Sequence, residues 1–291
     1  MNKFKFILFV LLAINLSAYA QSNKVAIALT HFQNENYSEA KLAIDDAAND
    51  EISSLDPYTW YVHGFIYKEI YKASQKSNPI SNLRLESLES FKKSISLDKA
   101  NEHKEDNEQN LKYLATTFFN DVVLTLNPKD YQIAIKNFES FKEIQNMLGQ
   151  HQSLKSMEIE FKLALASVFT SIYDSERVAN IAYFKKVEDL YANVLQIDPE
   201  NISANYNLGI LYYNKAVNII NELDFDMDIF EFMEVQESTV SIFKQSLPFM
   251  EKAYKLDPQK KETLKGLEGI YFSLHEIEKS NEIKARLEKL D

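Results

Sequence analysis

Residues Asn205 to Asn214 read NYNLGILYYN. The apolar and aromatic residues keep a helical step, yet a glycine stands among them. Gly inside a helix costs roughly 1 kcal/mol against Ala. Gly209 therefore needs a packing reason, and a second helix crossing close by supplies one. The core is Leu208-Gly209 with Tyr212 three residues on. The same spacing occurs in WYVHGFIY, residues 60–67, where His63-Gly64 precedes Tyr67. It recurs as Leu111, Leu114-Ala115 and Phe118, and as Leu264, Leu267-Glu268 and Tyr271.

A second pattern follows each of these. Ser246, Met250, Ala253 and Pro258 give a small residue, a bulky one four on, a small one three on, then proline. Val187, Tyr191, Val194 and Pro199 repeat it in VEDLYANVLQIDPEN. Ala134, Phe138 and Phe141 follow Tyr131; Ser87, Phe91 and Ser94 lie in SLESFKKSISLD; Ala40, Ile44 and Ala47 follow Tyr37. The first pattern resembles helix A of the tetratricopeptide repeat (TPR), W-x2-L-G-x2-Y. The second resembles its helix B, with the prolines ending units because a residue before Pro is pushed out of the α region.

The resemblance implies an all-α solenoid of six helix hairpins, over about 24–56, 57–100, 107–147, 155–200, 202–259 and 261–290. These fill one domain, 21–291, behind a leader at 1–20. The two small positions are 12 residues apart at Ala28/Ala40 and Glu268/Ser280, the family's usual value. They are 23 apart at Gly64/Ser87, 19 at Ala115/Ala134, 21 at Ala166/Val187 and 37 at Gly209/Ser246. The four middle repeats should have extended helices. In the fifth, each helix should gain about 12 residues, or ~18 Å. The C-terminal third, from NLGILYYNKAVNIINE to KGLEGIYFSL, is similar to exported TPR proteins of Bacteroidetes.

Composition agrees. The 291 residues are 45% hydrophobic and 26% charged, with only 5 Gly and 6 Pro, too few turn formers for a strand-rich fold. The net charge of -11 opposes nucleic-acid binding. Lys3 and Lys5, the apolar run Phe6–Leu16 and Ala18-Tyr19-Ala20 outline a secretory signal peptide. That run is about half the length that spans a bilayer, so no stable membrane anchor is expected after cleavage. The absence of cysteine excludes disulfides, thiolate metal sites and the lipid-bearing cysteine of a lipoprotein. An exported chain of this kind points to a Gram-negative periplasm, with secretion as the other destination.

No catalytic or nucleotide-binding motif is present. His31, His63, His103, His151 and His275 lack partners at metal spacing, and His63, beside Gly64, reads as a packing histidine. Asp224-x-Asp226-x-Asp228 matches the opening of an EF-hand, but Ile229 replaces its glycine and Val235 its glutamate, so calcium is not expected. The stretch ELDFDMDIFEFMEV, residues 222–235, reads instead as the tip of the fifth hairpin, with Asp226 or Asp228 capping a helix that restarts there. No cofactor or metal is expected.

Solenoids bind extended partners on their concave face. The register directs Tyr58, Tyr61, Phe65 and Lys68 there, then Lys112, Thr116, Phe119 and Asn120, then Tyr206, Ile210, Tyr213 and Asn214. Rings beside amides suit a peptide or protein segment. The Lys-x3-Asn pair by which some family members clamp a C-terminal carboxylate is absent at Tyr61 and Phe65. Phe225 and Phe230, surplus to any single buried stripe, mark the tip as another contact surface. The expected function is a non-catalytic periplasmic scaffold for a protein or peptide. The alternative is a structural envelope protein that self-associates, as a homodimer, through the tip. An enzyme or carbohydrate-binding subunit has no sequence feature of its own.

Overall fold

The computed structural model describes residues 24–224 and 226–290. Among them there is no β-strand, and twelve α-helices carry the fold. They pair into six hairpins: α1 (24–33) with α2 (Tyr37–Asn49), α3 (Pro57–Ser74) with α4 (Asn82–Leu97), α5 (Lys104–Thr125) with α6 (Tyr131–Met147), α7 (His151–Ser175) with α8 (Ile181–Ile197), α9 (Ile202–Asn221) with α10 (Ile229–Leu256), and α11 (Lys261–Ser273) with α12 (Ile277–Glu288). These are the expected hairpins in the expected order. The chain divides into two compact units, one ending at His151 and one beginning at Gln152. The leader, residues 1–20, lies outside the described residues. No described helix is long and apolar enough to cross a membrane.

Small residues set each crossing. In the second hairpin the Ser87 hydroxyl donates to the carbonyl of Gly64 at 2.8 Å. In the fifth, Ser246 donates to the carbonyl of Gly209 at 2.6 Å, and in the sixth Ser280 donates to that of Glu268 at 3.1 Å. These residues are 23, 37 and 12 apart along the chain. One clasp thus serves hairpins of very different length. Ala28/Ala40 and Ala115/Ala134 occupy the equivalent places, all buried. A Cβ on Gly64 would come within 2.8 Å of the Phe91 ring, and one on Gly209 within 3.2 Å of the Met250 backbone nitrogen. The glycines are there because the partner helix leaves no room. The fourth hairpin keeps Ala166 and Val187 buried and also packs through rings, Phe169 on Tyr183 at 5.3 Å and Tyr173 on Phe184 at 5.6 Å.

Helix lengths follow the spacing. The outer hairpins use helices of 12 or 13 residues in α2, α11 and α12, whereas α9 has 20 and α10 has 28, so the extra length of the fifth hairpin falls mainly on α10 rather than equally on both helices as the spacing suggested. Four starts are capped by a side chain: Asp56 before Pro57, Ser81, Asn201 and Asp228 each accept a backbone N–H of the following turn, whereas Asn36, Asp130 and Asn180 stand at helix starts without doing so. At the tip of the fifth hairpin Asp228 accepts from Phe230 at 2.8 Å and Glu231 at 3.0 Å, and Asp224 accepts from Asp226 at 3.0 Å. Two of the three aspartates that suggested calcium are thus turn and cap acceptors.

In the first unit a charged group lies inside the packing. Arg84 is 1% exposed. Its guanidinium reaches Asp121 at 2.5 Å, Asn137 at 2.7 Å and the Pro79 carbonyl at 3.0 Å, and stacks on Phe118 at 4.1 Å. It ties α4 to α5 and α6, so the second and third hairpins are joined by a polar knot as well as by apolar area. A buried ion pair is tolerated when further hydrogen bonds offset its desolvation. Both terminal nitrogens of Arg84 have them, while its buried Nε–H has no partner among the described residues.

Candidate functional site

The first helices of the first unit bring a row of rings together. Phe32 on α1 meets Phe65 on α3 edge-on at 5.4 Å. Phe65 leads to Tyr61 at 6.4 Å and Tyr61 to Tyr58 at 6.0 Å. His103, at the start of α5, stacks on Tyr61 at 5.8 Å with only 8° between planes and lies 5.3 Å from Tyr58. Asp98 accepts the backbone N–H groups of Glu102 and His103, at 3.0 and 2.8 Å, which fixes the turn that presents the imidazole. Tyr58 is 38% exposed and the other rings are half-buried. Burial and nearby Asp106 push the Tyr61 phenol up. The row offers flat apolar area edged by hydroxyls and an imidazole, the chemistry that grips a peptide without sequestering it.

Lys68 does not stand free on this face. It is 8% exposed, donates to Asn110 at 2.5 Å, pairs with Glu69 at 2.9 Å and lies over the Phe65 ring at 4.8 Å. It braces α3 against α5. Further along α5, Lys112, Thr116 and Asn120 form an exposed row at four-residue steps, while Phe119 turns inward to Phe141 at 5.1 Å.

In the second unit the candidates divide. Tyr213 packs on Phe243 at 5.7 Å, and its hydroxyl lies so near Gly269 that a Cβ there would come within 2.6 Å. Its role is to seat α11. Tyr206 is half-buried with the Lys260 ammonium 4.4 Å from its ring centre. Ile210 and Asn214 line a cavity of about 90 Å³ with Asn207, Asn218 and Lys215, room for one side chain. Phe230 is 76% exposed at the start of α10. Phe225 lies outside the described residues.

A polar cleft of about 480 Å³ opens elsewhere in the first unit, among Lys41, Asp45, Trp60, His63, Tyr67 and Glu86. His63 is buried at the helix crossing, as its place beside Gly64 suggested. Its Nδ1 meets the Ser90 hydroxyl at 2.8 Å, its Nε2 meets Asp45 at 3.1 Å, and its ring stacks on Tyr67 at 4.4 Å. Tyr67 donates to the same Asp45 oxygen at 2.7 Å, and burial lifts its phenol to about 12. The serine, histidine and carboxylate resemble a hydrolytic triad only in composition. Ser90 is 2% exposed, and its hydroxyl also reaches the Glu86 carbonyl at 2.6 Å. A substrate carbonyl could not approach it. Burial holds His63 below its ordinary value, against the pull of Asp45. The group acts as a structural hydrogen-bond hub between α2, α3 and α4.

Phe32, His103 and the Ser90–His63–Asp45 hub were not singled out from sequence. The register could have found Phe32. It lies four residues past Ala28, as Lys68 lies past Gly64, Phe119 past Ala115 and Tyr213 past Gly209.

No family model matches the chain, and no curated protein matches it. Among solved structures, a TPR repeats protein from Bacteroides fragilis is 15% identical, with 87% of this chain and 98% of that one aligned at a TM-score of 0.48. The TPR2AB domain of yeast Sti1, solved in complex with pHSP90, is 11% identical, covering 94% and 92% at 0.31. MamA is 17% identical, covering 81% and 95% at 0.26. At scores this low the fold class rests on the chain's own six hairpins and the small residues at their crossings. The chain is an all-α, TPR-like repeat protein. In TPR terms, the aromatic row is the face of successive A helices in the first unit.

Proposed function

We propose that the chain is a non-catalytic scaffold of the periplasm that binds a protein or peptide segment along the A-helix face of its first unit. The observation that carries this reading is the continuous row Phe32, Phe65, Tyr61, Tyr58 and His103. It is drawn from α1, α3 and the turn that leads into α5, and is left partly open to solvent. Rings held by their neighbours lose little entropy when a partner covers them, so they bind at low cost. The exposed Lys112, Thr116 and Asn120 row on α5 adds a charge and hydrogen-bonding groups alongside. The leader-like residues 1–20 support export, and the Sti1 domain's complex with pHSP90 is an instance of protein binding in a TPR context.

The reading is tested by capture from envelope extract with the wild-type chain and with Tyr61→Ala/Phe65→Ala as baits. Loss of one or more captured proteins, at unchanged helical circular dichroism, supports the A-helix face; identical captures overturn it. Fractionation of cells expressing the tagged chain tests the compartment. A second reading, self-association through residues 222–235, draws on the exposure of Phe230 and Met233. Sedimentation of the wild type beside Phe230→Ser/Phe232→Ser separates the two.

A further inference from the structure

The aromatic row of the first unit has a shape as well as a chemistry. Tyr58, Tyr61 and Phe65 follow one another along α3 with ring centres 6.0 and 6.4 Å apart and planes 26° and 29° from parallel. Atoms in contact across stacked rings stand about 3.5–4 Å apart. These rings are therefore slipped past one another, and each leaves part of a face uncovered. His103 adds a further ring, 5.3 Å from Tyr58 and nearly parallel to Tyr61. Among the described residues nothing bonds to the hydroxyl of Tyr58 or Tyr61, and neither hydroxyl is sealed from solvent. The row is a stair of ring faces carrying two O–H donors.

Hydrogen bonding selects the backbone that fits it. Two residues of a polyproline II helix advance about 6.2 Å, one step of the stair. Two residues of an extended strand advance about 6.6 Å, which is also close. A strand, however, brings an N–H at every residue, and against ring faces those groups lose water without gaining an acceptor. Proline has no N–H to lose. A polyproline II backbone makes no internal hydrogen bonds, so its carbonyls are free for the two phenols. An α-helix engages its carbonyls internally and leaves the phenols unused. Proline-rich segments dock in aromatic-lined grooves with little entropy to lose, because their conformation is preset.

Charge adds to the choice. Asp106, one turn of α5 beyond His103, is exposed and joins no ion pair among the described residues. Burial first, and Asp106 second, raise the Tyr61 phenol, so this carboxylate acts on the row. Lys104, the neighbouring cation, is turned to Glu108 at 4.0 Å. A Lys or Arg beside the prolines would complement Asp106.

We propose that the aromatic row binds a proline-rich segment in the polyproline II conformation, with Lys or Arg beside its prolines. This rests on the reading of the row as a partner face and names the class of partner.

The test uses the purified chain and three fluorescein-labelled peptides of ten residues. One is Pro with a single Arg, one has Gly and Ser in place of the prolines, and one has Glu in place of the Arg. By fluorescence anisotropy the Pro/Arg peptide should bind, and the Gly-Ser/Arg peptide at least about tenfold more weakly. Tyr58→Phe/Tyr61→Phe keeps the rings and the net charge and should weaken the Pro/Arg peptide about fivefold, at unchanged circular dichroism. Tyr61→Ala/Phe65→Ala should weaken it more than tenfold. The Pro/Glu peptide should bind less tightly than Pro/Arg, and Asp106→Asn should remove that difference. Equal binding of the Pro and Gly-Ser peptides overturns the proposal, as does Pro/Arg binding that ignores Tyr61→Ala/Phe65→Ala. No Pro/Arg binding, while capture from envelope extract still depends on Tyr61 and Phe65, overturns this inference and leaves the row as a face for a partner of another conformation. If neither depends on those residues, both readings fall.

Discussion

Single side chains hold the first unit together in ways that are testable one at a time. Buried His63 sits between Ser90 and Asp45, with Lys41 and Tyr67 also on that carboxylate. Burial lowers its pKa from the ordinary 6.5, so the folded chain resists a proton that the unfolded chain accepts. The stability it contributes is complete above 6.5 and is lost as pH falls from there through the lowered folded value. Melting temperature should therefore fall between about pH 7 and pH 5 more steeply in the wild type than in His63→Gln. Parallel curves would show that His63 does not carry the dependence. Asp121 faces Arg84 at 2.5 Å inside the packing. Asp121→Ala leaves that guanidinium buried without its anion and should cost about 3–5 kcal/mol. Arg84→Met/Asp121→Leu together should recover most of it. If denaturant melts show Asp121→Ala within about 1 kcal/mol of wild type, the knot is not structural. The burial of His63 was legible from its place beside Gly64, but its partners and the Arg84–Asp121 pair were not. Arg84 and Asp121 are 37 residues apart and share no local pattern, and Lys68 looked like a groove lysine until α5 closed over it.

At the scale of the helix, the crossings were legible because a close approach admits few residue types. Gly64 and Gly209 stand out among large neighbours, and the serines opposite them follow from the repeat spacing. What the spacing did not convey was chemistry. Ser87, Ser246 and Ser280 are small, and they also donate to the facing carbonyl. Gly64→Ala tests the crossing. Helix propensity alone would favour the change by roughly 1 kcal/mol. The new methyl would instead press on the Phe91 ring, which is fully buried, so a net loss of about 1–3 kcal/mol is expected. A stabilised variant in urea melts would mean that the hairpin has slack at its crossing. Tyr213 shows why faces are harder to read than crossings. It lies on the same helical stripe as ligand-facing candidates, but the neighbouring hairpin has a glycine, Gly269, to receive it.

Across the molecule, the sequence period determined hairpin number, order and the length of the fifth hairpin, because each repeat must bury its stripe against the next. Function was less legible, because rings that pack between repeats and rings that await a partner share the same composition. The structure separates them: Phe119 and Tyr213 are engaged internally, whereas Tyr58, Tyr61, Phe65 and His103 form a connected, partly open row. The direct measurement is site-specific photo-crosslinking in cells, with benzoylphenylalanine placed at Tyr58 on the row or at Leu42, exposed on α2. The account predicts a discrete crosslinked protein from position 58, lost with Phe65→Ala, and none from position 42. No product at 58, or the same product from both positions, would contradict it.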